Sequence, residues 1–436
     1  MGEKKGLIIA YDVIGPLMAG PGLRSLRLAE ALAPVLPVDI LAGAESQPVA
    51  GSPVRFVVAP QQGNEKAFLE DYKVCLASST FPLTHPWLLD ASIPLAVDCY
   101  DPYVLENLFL YRDETYGEAR FQHERHLKAQ IEGLLRADLV LCASQRQKDL
   151  FIGALMALNR LNPALSSVVN DDEFVAVVPF GIEEQEPPQR GSIRGKVQGY
   201  GLRDEVLIWG GGIWEWFDPV NLIEAVNELK SKRPNIRLHF LGVKHPNRHI
   251  PFPNKGKEAI RLAEDLGIKD RHVFFGDWVP AAERGKYLRD ADLGVSFHLV
   301  GFETRYSFRT RLMDYLWAEL PMVVSAGDDL GEEFASAGLG ETLSNNSPEA
   351  IADAISRWLD KVKLQPGEFA GRYSQLKERY RWSRVAEPLR EFFIEPYSTE
   401  GVRGEGFFEA NLGDLNPAGR PGMLSRIIYK IIRGGL

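Results

Sequence analysis

The sequence predicts an α/β protein made of two doubly wound, Rossmann-like domains and a C-terminal extension. Short apolar runs, such as GLIIAY and VDILAG in the first half and EVLIWG and IRLHFLG in the second, alternate with helical segments. This alternation is typical of parallel sheets that are covered by helices on both faces. The chain of 436 residues is also too long for one ordinary domain, so two domains are expected.

A stretch rich in proline, glycine and charged residues, from 180 to 199, has no periodic pattern and is predicted to join the two domains. The predicted units are a first domain over residues 1–185, a second domain over 186–380, a helix over 381–396 that returns towards the first domain, and an extension over 397–436. Within the extension, residues 423–436 have the apolar stripe of an amphipathic helix.

Composition and charge exclude several classes of protein. The formal net charge of -9 argues against binding to nucleic acid, because phosphate backbones require a basic surface. The three cysteines lack the spacing of a disulfide framework or of a zinc site. The N-terminal apolar run is too short for a secretory signal, and no window reaches the ~20 apolar residues of a membrane span. A cytoplasmic protein is therefore expected.

A first glycine-rich turn follows the first predicted strand. Gly20 and Gly22 precede a helix whose first turn contains Arg24. In doubly wound sheets such turns bring phosphates to the N-terminus of a helix, so these three residues are candidate ligands of a phosphate group. The spacing does not match the GxGxxG dinucleotide pattern, and an ordinary βα loop is the alternative.

A second turn contains three consecutive glycines, Gly210 to Gly212, directly after a predicted strand. Glycines at this place allow a ligand to approach the backbone closely, which makes Gly211 and Gly212 binding candidates. Trp214 and Trp216 follow, and their rings could stack on a base or a sugar or could simply pack the loop.

The segment 301–321, GFETRYSFRTRLMDYLWAELP, carries the third turn. Ser307 is predicted to cap a helix over 308–319, so that the free amides of the first turn would favour an anion. Asp314 lies two turns further on the same face, where its carboxylate could accept hydrogen bonds from ribose hydroxyls. Arg305, Arg309 and Arg311 could bind a pyrophosphate, although several arginines on one helix can also form a solvated face.

Several segments together resemble a known family. MAGPGLRSLRLAEAL, ADLVLCASQRQKDL, VVPFGI, GGGIWEWFDP and ETRYSFRTRLMDYLWAELPMVV are similar to the retaining GT-B glycosyltransferases of family-four type, the group 1 nucleotide-sugar glycosyltransferases, over residues 6 to 395. The resemblance implies two domains that face each other across a cleft, with the donor on the second domain and the acceptor on the first. It also implies transfer of a sugar with retention of configuration and without a metal ion or cofactor.

The resemblance assigns roles to particular residues. Asp314 matches the acid that binds the ribose, Glu303 matches the glutamate that contacts the sugar, and Gly20 and Gly22 match the loop near the donor phosphates. Arg and Lys residues that the family carries after the first strand of the second domain are missing. Arg309 is the first candidate to replace them, followed by Arg305 and Arg24, and then by Lys244 or Arg248.

Two acids of the first domain, Asp98 and Asp101, stand where the family often has a histidine that faces the sugar. They could orient hydroxyls of donor or acceptor, and the alternative for Asp101 is a helix cap before Pro102. The predicted catalytic residues are thus Glu303, Arg309 and Asp98. No cluster of metal ligands with convincing spacing is present, so no metal site is expected.

The implied function is sugar transfer from a nucleotide sugar to a glycan or lipid-linked acceptor in the synthesis of a bacterial cell-surface polysaccharide. Two alternatives stay open: a nucleotide-sugar epimerase of the same fold, and a non-catalytic scaffold of a polysaccharide-assembly complex. Residues 423–436 would either attach the chain peripherally to an anionic inner membrane or dock onto protein.

Overall fold

The computed structural model describes residues 4–170, 173–188, 191–247, 250–364 and 369–403. Its first domain contains a seven-stranded parallel sheet in the order β3-β2-β1-β4-β5-β6-β7. The strands are β1 (Lys5–Ile9), β2 (Val38–Leu41), β3 (Arg55–Val57), β4 (Tyr72–Ser78), β5 (Leu95–Asp98), β6 (Leu139–Cys142) and β7 (Val175–Val177). The helices are α1 (Gly20–Leu32), α2 (Glu65–Leu69), α3 (Tyr103–Leu110), α4 (Tyr116–Arg136) and α5 (Gln145–Ala157).

The central strands of this sheet are buried on both faces, which explains their nearly continuous apolar sequences. The long charged helix predicted from Thr115 to Arg136 is confirmed as α4. Its N-terminus follows from the sequence, because the Thr115 hydroxyl accepts a hydrogen bond of 3.3 Å from the Glu118 amide.

The second domain contains a six-stranded parallel sheet in the order β10-β9-β8-β11-β12-β13. Its strands are β8 (Glu205–Gly210), β9 (Ile236–Leu241), β10 (Val273–Phe275), β11 (Leu293–Ser296), β12 (Met322–Ser325) and β13 (Gly340–Leu343). Its helices are α6 (Pro219–Leu229), α7 (Asn254–Asp265), α8 (Arg284–Asp290), α9 (Phe302–Tyr306), α10 (Thr310–Trp317), α11 (Asp329–Ser336) and α12 (Pro348–Leu364). The two sheets therefore share the doubly wound order of their first six strands, as the sequence predicts.

One buried tyrosine holds α10 over the centre of the second sheet. The Tyr315 hydroxyl lies 3.0 Å from the Ile208 carbonyl oxygen and 2.9 Å from that of Val295, and it accepts a 3.0 Å hydrogen bond from the Gly210 amide. A side chain at Gly294 would lie 2.6 Å from the tyrosine ring, so glycine is required there for this approach. The contact places α10 directly behind the glycine turn that follows β8.

After α13 (Ala370–Tyr380) the chain returns to the first domain. The single helix predicted over 381–396 is in fact two, α14 (Trp382–Val385) and α15 (Glu387–Ile394). The return is tightly packed, since a side chain at Gly181 would lie 2.5 Å from the Trp382 ring. The predicted terminal helix over 423–436 lies outside the described residues. No helix in the described part of the chain combines the length and apolar character that crossing a membrane requires.

Candidate functional site

A cavity of about 900 Å³ lies between the two domains. The strand order reverses between β1 and β4 in the first sheet and between β8 and β11 in the second, and the loops that leave β1 and β8 line the cavity. Such reversals are the places where doubly wound sheets bind ligands. The volume is at the upper end of the range of small-molecule pockets, so it can hold a ligand of nucleotide-sugar size.

The two glycines of the turn after β1, Gly20 and Gly22, have different surroundings. Gly20 is the first residue of α1 and lines the cavity, where a side chain would lie 3.9 Å from the Thr310 hydroxyl of the second domain. Gly22 does not line the cavity. A side chain there would lie 2.3 Å from the Val13 carbonyl oxygen, so Gly22 is needed to pack the loop and its predicted contact with the donor is corrected.

The glycine turn after β8 lines the cavity over Gly210, Gly211 and Gly212. Gly211 has a φ of 98°, a left-handed conformation that favours glycine. Trp214 also lines the cavity, and its ring stacks on that of Trp216 at 5.7 Å with an interplanar angle of 10°. The loop thus exposes backbone groups that no side chain covers, next to the flat surface of an aromatic ring.

The structure contradicts the predicted cap at Ser307. A separate short helix, α9, ends before Ser307, whose hydroxyl donates a 3.2 Å hydrogen bond to the Thr304 carbonyl oxygen. Helix α10 begins at Thr310, and Arg309 is its N-cap residue. Ser307 nevertheless lines the cavity, close to the N-terminus of α10. The amide groups available to an anion are therefore those of the turn that begins at Thr310.

Arg309 has partners within the protein that the sequence does not predict. Its guanidinium pairs with Asp328 and donates to the Ser325 hydroxyl at 3.2 Å and the Ser325 carbonyl oxygen at 2.8 Å. Both charged side chains are almost completely buried. The pairing indicates a structural role. Arg309 also lines the cavity and its Nε is buried without a hydrogen-bond partner, so its role as a phosphate ligand stays a prediction.

Arg24 and Asp98 form a buried pair with each other, which the sequence does not predict either. The Arg24 Nε lies 2.6 Å from Asp98 Oδ2 and its Nη2 lies 2.9 Å from Oδ1, while further nitrogens donate to the carbonyl oxygens of Val178 and Pro179. Neither residue lines the large cavity. Arg305 is exposed and also lies outside the cavity lining. Arg24 and Asp98 line a smaller neighbouring cavity that shares Asp101 with the large one. The structure thus gives Arg24 and Asp98 a structural pairing, and the donor-binding and catalytic roles of the three residues stay predictions.

Asp314 lines the cavity as expected for a ligand-binding acid, but it has a partner that sequence reasoning missed. Arg284, at the start of α8, lies 3.0 Å from Asp314 Oδ1 through its Nη2. Burial raises the pKa of Asp314 to about 6, against the lowering effect of the Arg284 charge. Arg284 Nε is buried without a hydrogen-bond partner, and the side chain lines the same cavity.

Arg311 lies below the glycine turn after β8. Its Nη2 donates a 3.0 Å hydrogen bond to the Gly212 carbonyl oxygen, and its guanidinium lies over the rings of Trp209 and Phe217 at 4.5 and 4.1 Å. Burial lowers the pKa of Arg311 to about 10. The residue thus supports the turn and adds positive charge to the second-domain side of the cavity.

Glu303 and His298 form a buried pair in the cavity wall. His298 Nδ1 lies 3.4 Å from Glu303 Oε2, whereas His298 Nε2 is buried without a hydrogen-bond partner. Burial raises the pKa of Glu303 to about 8, and burial together with the charges of Arg309 and Arg311 holds the pKa of His298 well below its usual value. Glu303 lines the cavity at the place where a sugar contact is predicted.

Two carboxyl groups of the first domain line the cavity near Glu303. Asp101 does not cap a helix, since α3 begins at Tyr103 with Pro102 as its N-cap residue. Burial raises the pKa of Asp101 to about 7. Burial, then Asp101 and then Glu303 hold the pKa of Glu106 well above its usual value. Sequence reasoning missed Glu106, and no local signal distinguishes it from a surface residue of α3.

Within the described ranges, no group of three or more histidine, cysteine or acidic side chains is placed to hold a metal ion. Lys244 is exposed and outside the cavity lining, and Arg248 lies outside the described residues. The cations of the described chain that line the cavity are Lys257, Arg284, Arg309 and Arg311.

Residues 204–361 match the family described as "Glycosyl transferases group 1". This match falls within the second domain and includes the glycine turn after β8 and both Glu303 and Asp314. No curated protein matches the whole chain by sequence.

Solved structures match the chain over both domains. WaaG, a glycosyltransferase involved in lipopolysaccharide biosynthesis, is 15% identical with a TM-score of 0.62, over 89% of this chain and 100% of that chain. HepE of Anabaena in complex with UDP-glucose is 15% identical with a TM-score of 0.63, over 89% and 99%. Sucrose-phosphate synthase from Thermosynechococcus elongatus is 15% identical with a TM-score of 0.58, over 90% and 98%. The chain thus has the GT-B fold of these proteins.

Proposed function

We propose, from the likeness of the second domain to group 1 glycosyl transferases and from the cavity, that this chain is a glycosyltransferase that uses a nucleotide-sugar donor. We further propose that the transferred sugar retains its configuration and that the acceptor is a glycan or a lipid-linked glycan. The donor would bind to the second domain, where the cations that line the cavity are found among the described residues.

The main observation behind the proposal is that the N-termini of two helices lie close to each other in the cavity. Gly20 begins α1 in the first domain and Thr310 begins α10 in the second, and a side chain at Gly20 would lie 3.9 Å from the Thr310 hydroxyl. Neither helix carries an acidic residue in its first turn. Free amides and helix dipoles of both domains therefore favour an anion at one place, as a diphosphate requires.

The rest of the donor would extend from this place over the second domain. Asp314, with its carboxylate held by Arg284, is suited to accept hydrogen bonds from ribose hydroxyls. The stacked rings of Trp214 and Trp216 offer a flat surface to a base or a sugar. HepE, which has the same fold, was crystallised with UDP-glucose, which supports a uridine nucleotide as the first donor to test.

In this proposal the protein acts mainly by binding and orienting both substrates. Negative charge that develops on the leaving diphosphate is stabilised by the amides of the two helix N-termini and by Arg284 and Arg311. Glu303, protonated near neutral pH by the shift in its pKa, would donate a hydrogen bond to a hydroxyl of the donor sugar. No step in this scheme uses a metal ion, so turnover is expected to continue in the presence of a chelator.

The setting of the reaction is also a proposal. WaaG, of the same fold, is involved in lipopolysaccharide biosynthesis, which supports a role in bacterial cell-surface polysaccharide synthesis. We propose that the chain works in the cytoplasm and attaches peripherally to the inner membrane through residues 423–436. If so, deletion of these residues abolishes co-sedimentation with anionic liposomes, and unchanged co-sedimentation would exclude this attachment.

The experiment that tests the donor site compares nucleotides that differ in ribose hydroxyls. UDP, 2′-deoxy-UDP and 3′-deoxy-UDP are titrated calorimetrically into the wild-type chain and into Asp314→Asn. Because a hydrogen bond to a charged group contributes about 1.5–3 kcal/mol, the variant is expected to bind UDP roughly 10- to 100-fold more weakly and to distinguish the three nucleotides less. Asp353→Asn, an exposed residue of α12, is the matched control.

The transfer itself is tested by incubating the chain with UDP-glucose and simple glycosides, and by determining the anomeric configuration of the product by NMR. If UDP, GDP, ADP and their sugar conjugates all fail to bind, the proposal is wrong. Inverted configuration in the product would contradict retention alone.

A nucleotide-sugar epimerase is the second candidate, because Asp101, Glu106 and Glu303 could supply the acid and base that moving a proton requires. A putative UDP-N-acetylglucosamine 2-epimerase from Listeria monocytogenes shares the fold, with 14% identity and a TM-score of 0.51, over 88% of this chain and 94% of that chain. An epimerised nucleotide sugar formed without acceptor would favour it. Nucleotide binding without either reaction would favour the scaffold.

A further inference from the structure

The two walls of the cavity differ in their charged side chains, although the second domain contributes Glu215, Glu303 and Asp314 as well as cations. Among the described residues, every lysine and arginine that lines the cavity belongs to the second domain. The first domain contributes carboxyl groups and tyrosines instead. Its carboxyl groups are those of Asp12, Asp101, Glu106 and Glu114, and its aromatic residues are four tyrosines and Phe180. If the donor diphosphate occupies the second-domain side, the acceptor must enter along an acidic and aromatic wall.

Asp101 and Glu106 are the innermost carboxyl groups of this wall. Neither forms an ion pair within the described part of the chain, although both are partly buried. Burial raises the pKa of Asp101 to about 7, with a smaller contribution from the charge of Asp98. Burial, then Asp101 and then Glu303 hold the pKa of Glu106 well above its usual value, so this part of the cavity disfavours negative charge. A protonated carboxyl can donate a hydrogen bond and a carboxylate can accept one, which matches the two-way hydrogen bonding of a sugar hydroxyl.

A residue of the second domain indicates that a polar ligand binds in the same cavity. His298 is 2% exposed and lines the same cavity, yet its Nε2 has no hydrogen-bond partner. Buried polar atoms without partners are rare in folded proteins, and a ligand hydroxyl would satisfy this one. Tyr103 and Tyr111 add ring surfaces on the opposite wall, and sugar rings pack against aromatic faces.

We propose that the acceptor group that enters this wall is an uncharged, hydroxylated sugar held by Asp101 and Glu106, and that a sugar bearing a carboxylate is excluded. This inference rests on the proposed function and deepens it by naming the class of acceptor. A carboxylate placed here is disfavoured, because the burial and the neighbouring acids that raise the pKa of Asp101 and Glu106 also oppose the charge of a third carboxyl group. A neutral hydroxymethyl group at the same position meets no such repulsion.

The test uses matched glycosides as probes of the full chain saturated with UDP. p-Nitrophenyl glucoside is compared with the glucuronide, and the galactoside with the galacturonide, since each pair differs only at C6. Binding is measured by ligand-observed NMR at pH 7.5. We expect each neutral glycoside to bind at least 100-fold more tightly than its acidic partner. In Asp101→Asn this ratio should fall about 10-fold, because Asp101, with a pKa of about 7, is largely ionised at pH 7.5 and adds to the exclusion of an acid. The neutral glycoside should bind somewhat more weakly, since it loses one acceptor of a hydrogen bond.

Asp101→Ser repeats the test should Asp101→Asn fail to fold, and Glu70→Gln, an exposed carboxyl of the first domain, is the control. Equal binding of the neutral and acidic partners would overturn the proposal, as would a ratio that neither variant changes. Failure of every glycoside to bind to the UDP-saturated chain would also overturn it. Failure of UDP and the other nucleotides to bind would instead overturn the proposed function, so the two failures are distinguishable.

Discussion

The two domains share a topology but contribute different chemistry to the cavity between them. In both sheets the first six strands follow the same order, and this order places the cavity at the two strand reversals. The loops at those reversals differ, since the first domain supplies acids and tyrosines and the second supplies the lining cations of the described chain. The comparison shows that strand order determines where a ligand binds, whereas loop residues determine what kind of ligand it is.

The domains are nevertheless alike in one respect, because each buries an arginine–aspartate pair beside the cavity. Arg24 pairs with Asp98 in the first domain, and Arg309 pairs with Asp328 in the second. Asp328 accepts a further 2.8 Å hydrogen bond from the Gly331 amide at the start of α11. Arg24 lies within α1 and Arg309 is the N-cap residue of α10, and both belong to segments that resemble a donor site, yet both stabilise the fold.

The largest expected effect comes from breaking these pairs. Arg309→Ala is expected to lower the free energy of unfolding by about 3–5 kcal/mol, because it leaves the buried charge of Asp328 unpaired. Arg24→Ala should lower it by somewhat less, since the side chain of Asp98 is 12% exposed, whereas that of Asp328 is 0% exposed. The midpoint of unfolding in urea measures both effects.

The control and the compensating variant make this prediction specific. Arg305→Ala removes an exposed arginine of the same segment and should change stability by less than about 0.5 kcal/mol. Arg309→Ala combined with Asp328→Asn should recover part of the loss, because no unpaired charge is left buried. An Arg309→Ala chain of wild-type stability that no longer binds UDP would contradict the structural role and support Arg309 as a phosphate ligand.

A smaller effect is expected in the pH dependence of the free energy of unfolding, through Glu303. The pKa of Glu303 is raised to about 8 in the folded chain, above its ordinary value near 4.5, so the folded state binds its proton more tightly than the unfolded state does. Burial of Glu303 therefore costs stability progressively as the pH rises from about 4.5 to 8 and adds no further cost above that range. At low pH, where both states are protonated, this cost is absent.

Glu303→Gln removes this pH dependence while keeping the shape of the side chain. Relative to the wild type, the variant should gain on the order of 2 kcal/mol of stability between pH 5 and pH 8.5. The gain is smaller than the shift in the pKa of Glu303 alone would give. Asp101 contributes to that shift, and its own protonation changes when the charge at position 303 is removed. Urea unfolding of both chains at the two pH values measures it. If the difference in stability between the two chains does not vary with pH, the pKa of Glu303 is not raised in the folded chain and the prediction is wrong.

Sequence reasoning predicts the framework better than the site, for a physical reason. The alternation of strands and helices, the glycine turns at strand ends and the position of Asp314 in the cavity all follow from local patterns. The partners of Arg24 and Arg309 do not, because Asp98 and Asp328 are brought to them by the packing of distant segments. Ser307 is a residue type that favours a helix N-cap, but here it follows α9, so its hydroxyl bonds backwards to that helix.

Arg284 and Glu106 illustrate the same limit. Arg284 lies on a short helix with other charged residues and Glu106 on a short, mostly apolar one, and both residues line the cavity between the two domains. Glu106 interacts with Glu303, which lies nearly 200 positions later in the chain and in the other domain. Contacts between domains leave no periodic pattern in the sequence. Residues such as Arg284 and Glu106 can therefore be assigned to a site only from a three-dimensional structure.

The smallest expected effect concerns the contacts that hold the two walls together at their rim. Arg146 of α5 lies 2.6 Å from Asp329 and 2.8 Å from Glu332 of α11, but all three side chains are about one third to one half exposed. Exposed ion pairs of this kind contribute about 0.2–1 kcal/mol, and salt screens them. The buried bridge beside it should matter more, since Gln147 donates to the carbonyl oxygens of Tyr100 and Tyr306, one in each domain, at 2.8 and 2.7 Å.

A double-mutant cycle with Arg146→Ala and Asp329→Ala is therefore expected to give a coupling energy below about 1 kcal/mol in low salt, falling further in 0.5 M NaCl. Gln147→Ala should cost more than this coupling and should not respond to salt, because it leaves two buried carbonyl oxygens without a donor. Urea unfolding of the four chains of the cycle and of Gln147→Ala measures both quantities. A coupling above 2 kcal/mol that persists in salt would mean that the rim pair, rather than the buried amide, determines how the acidic wall faces the cationic one.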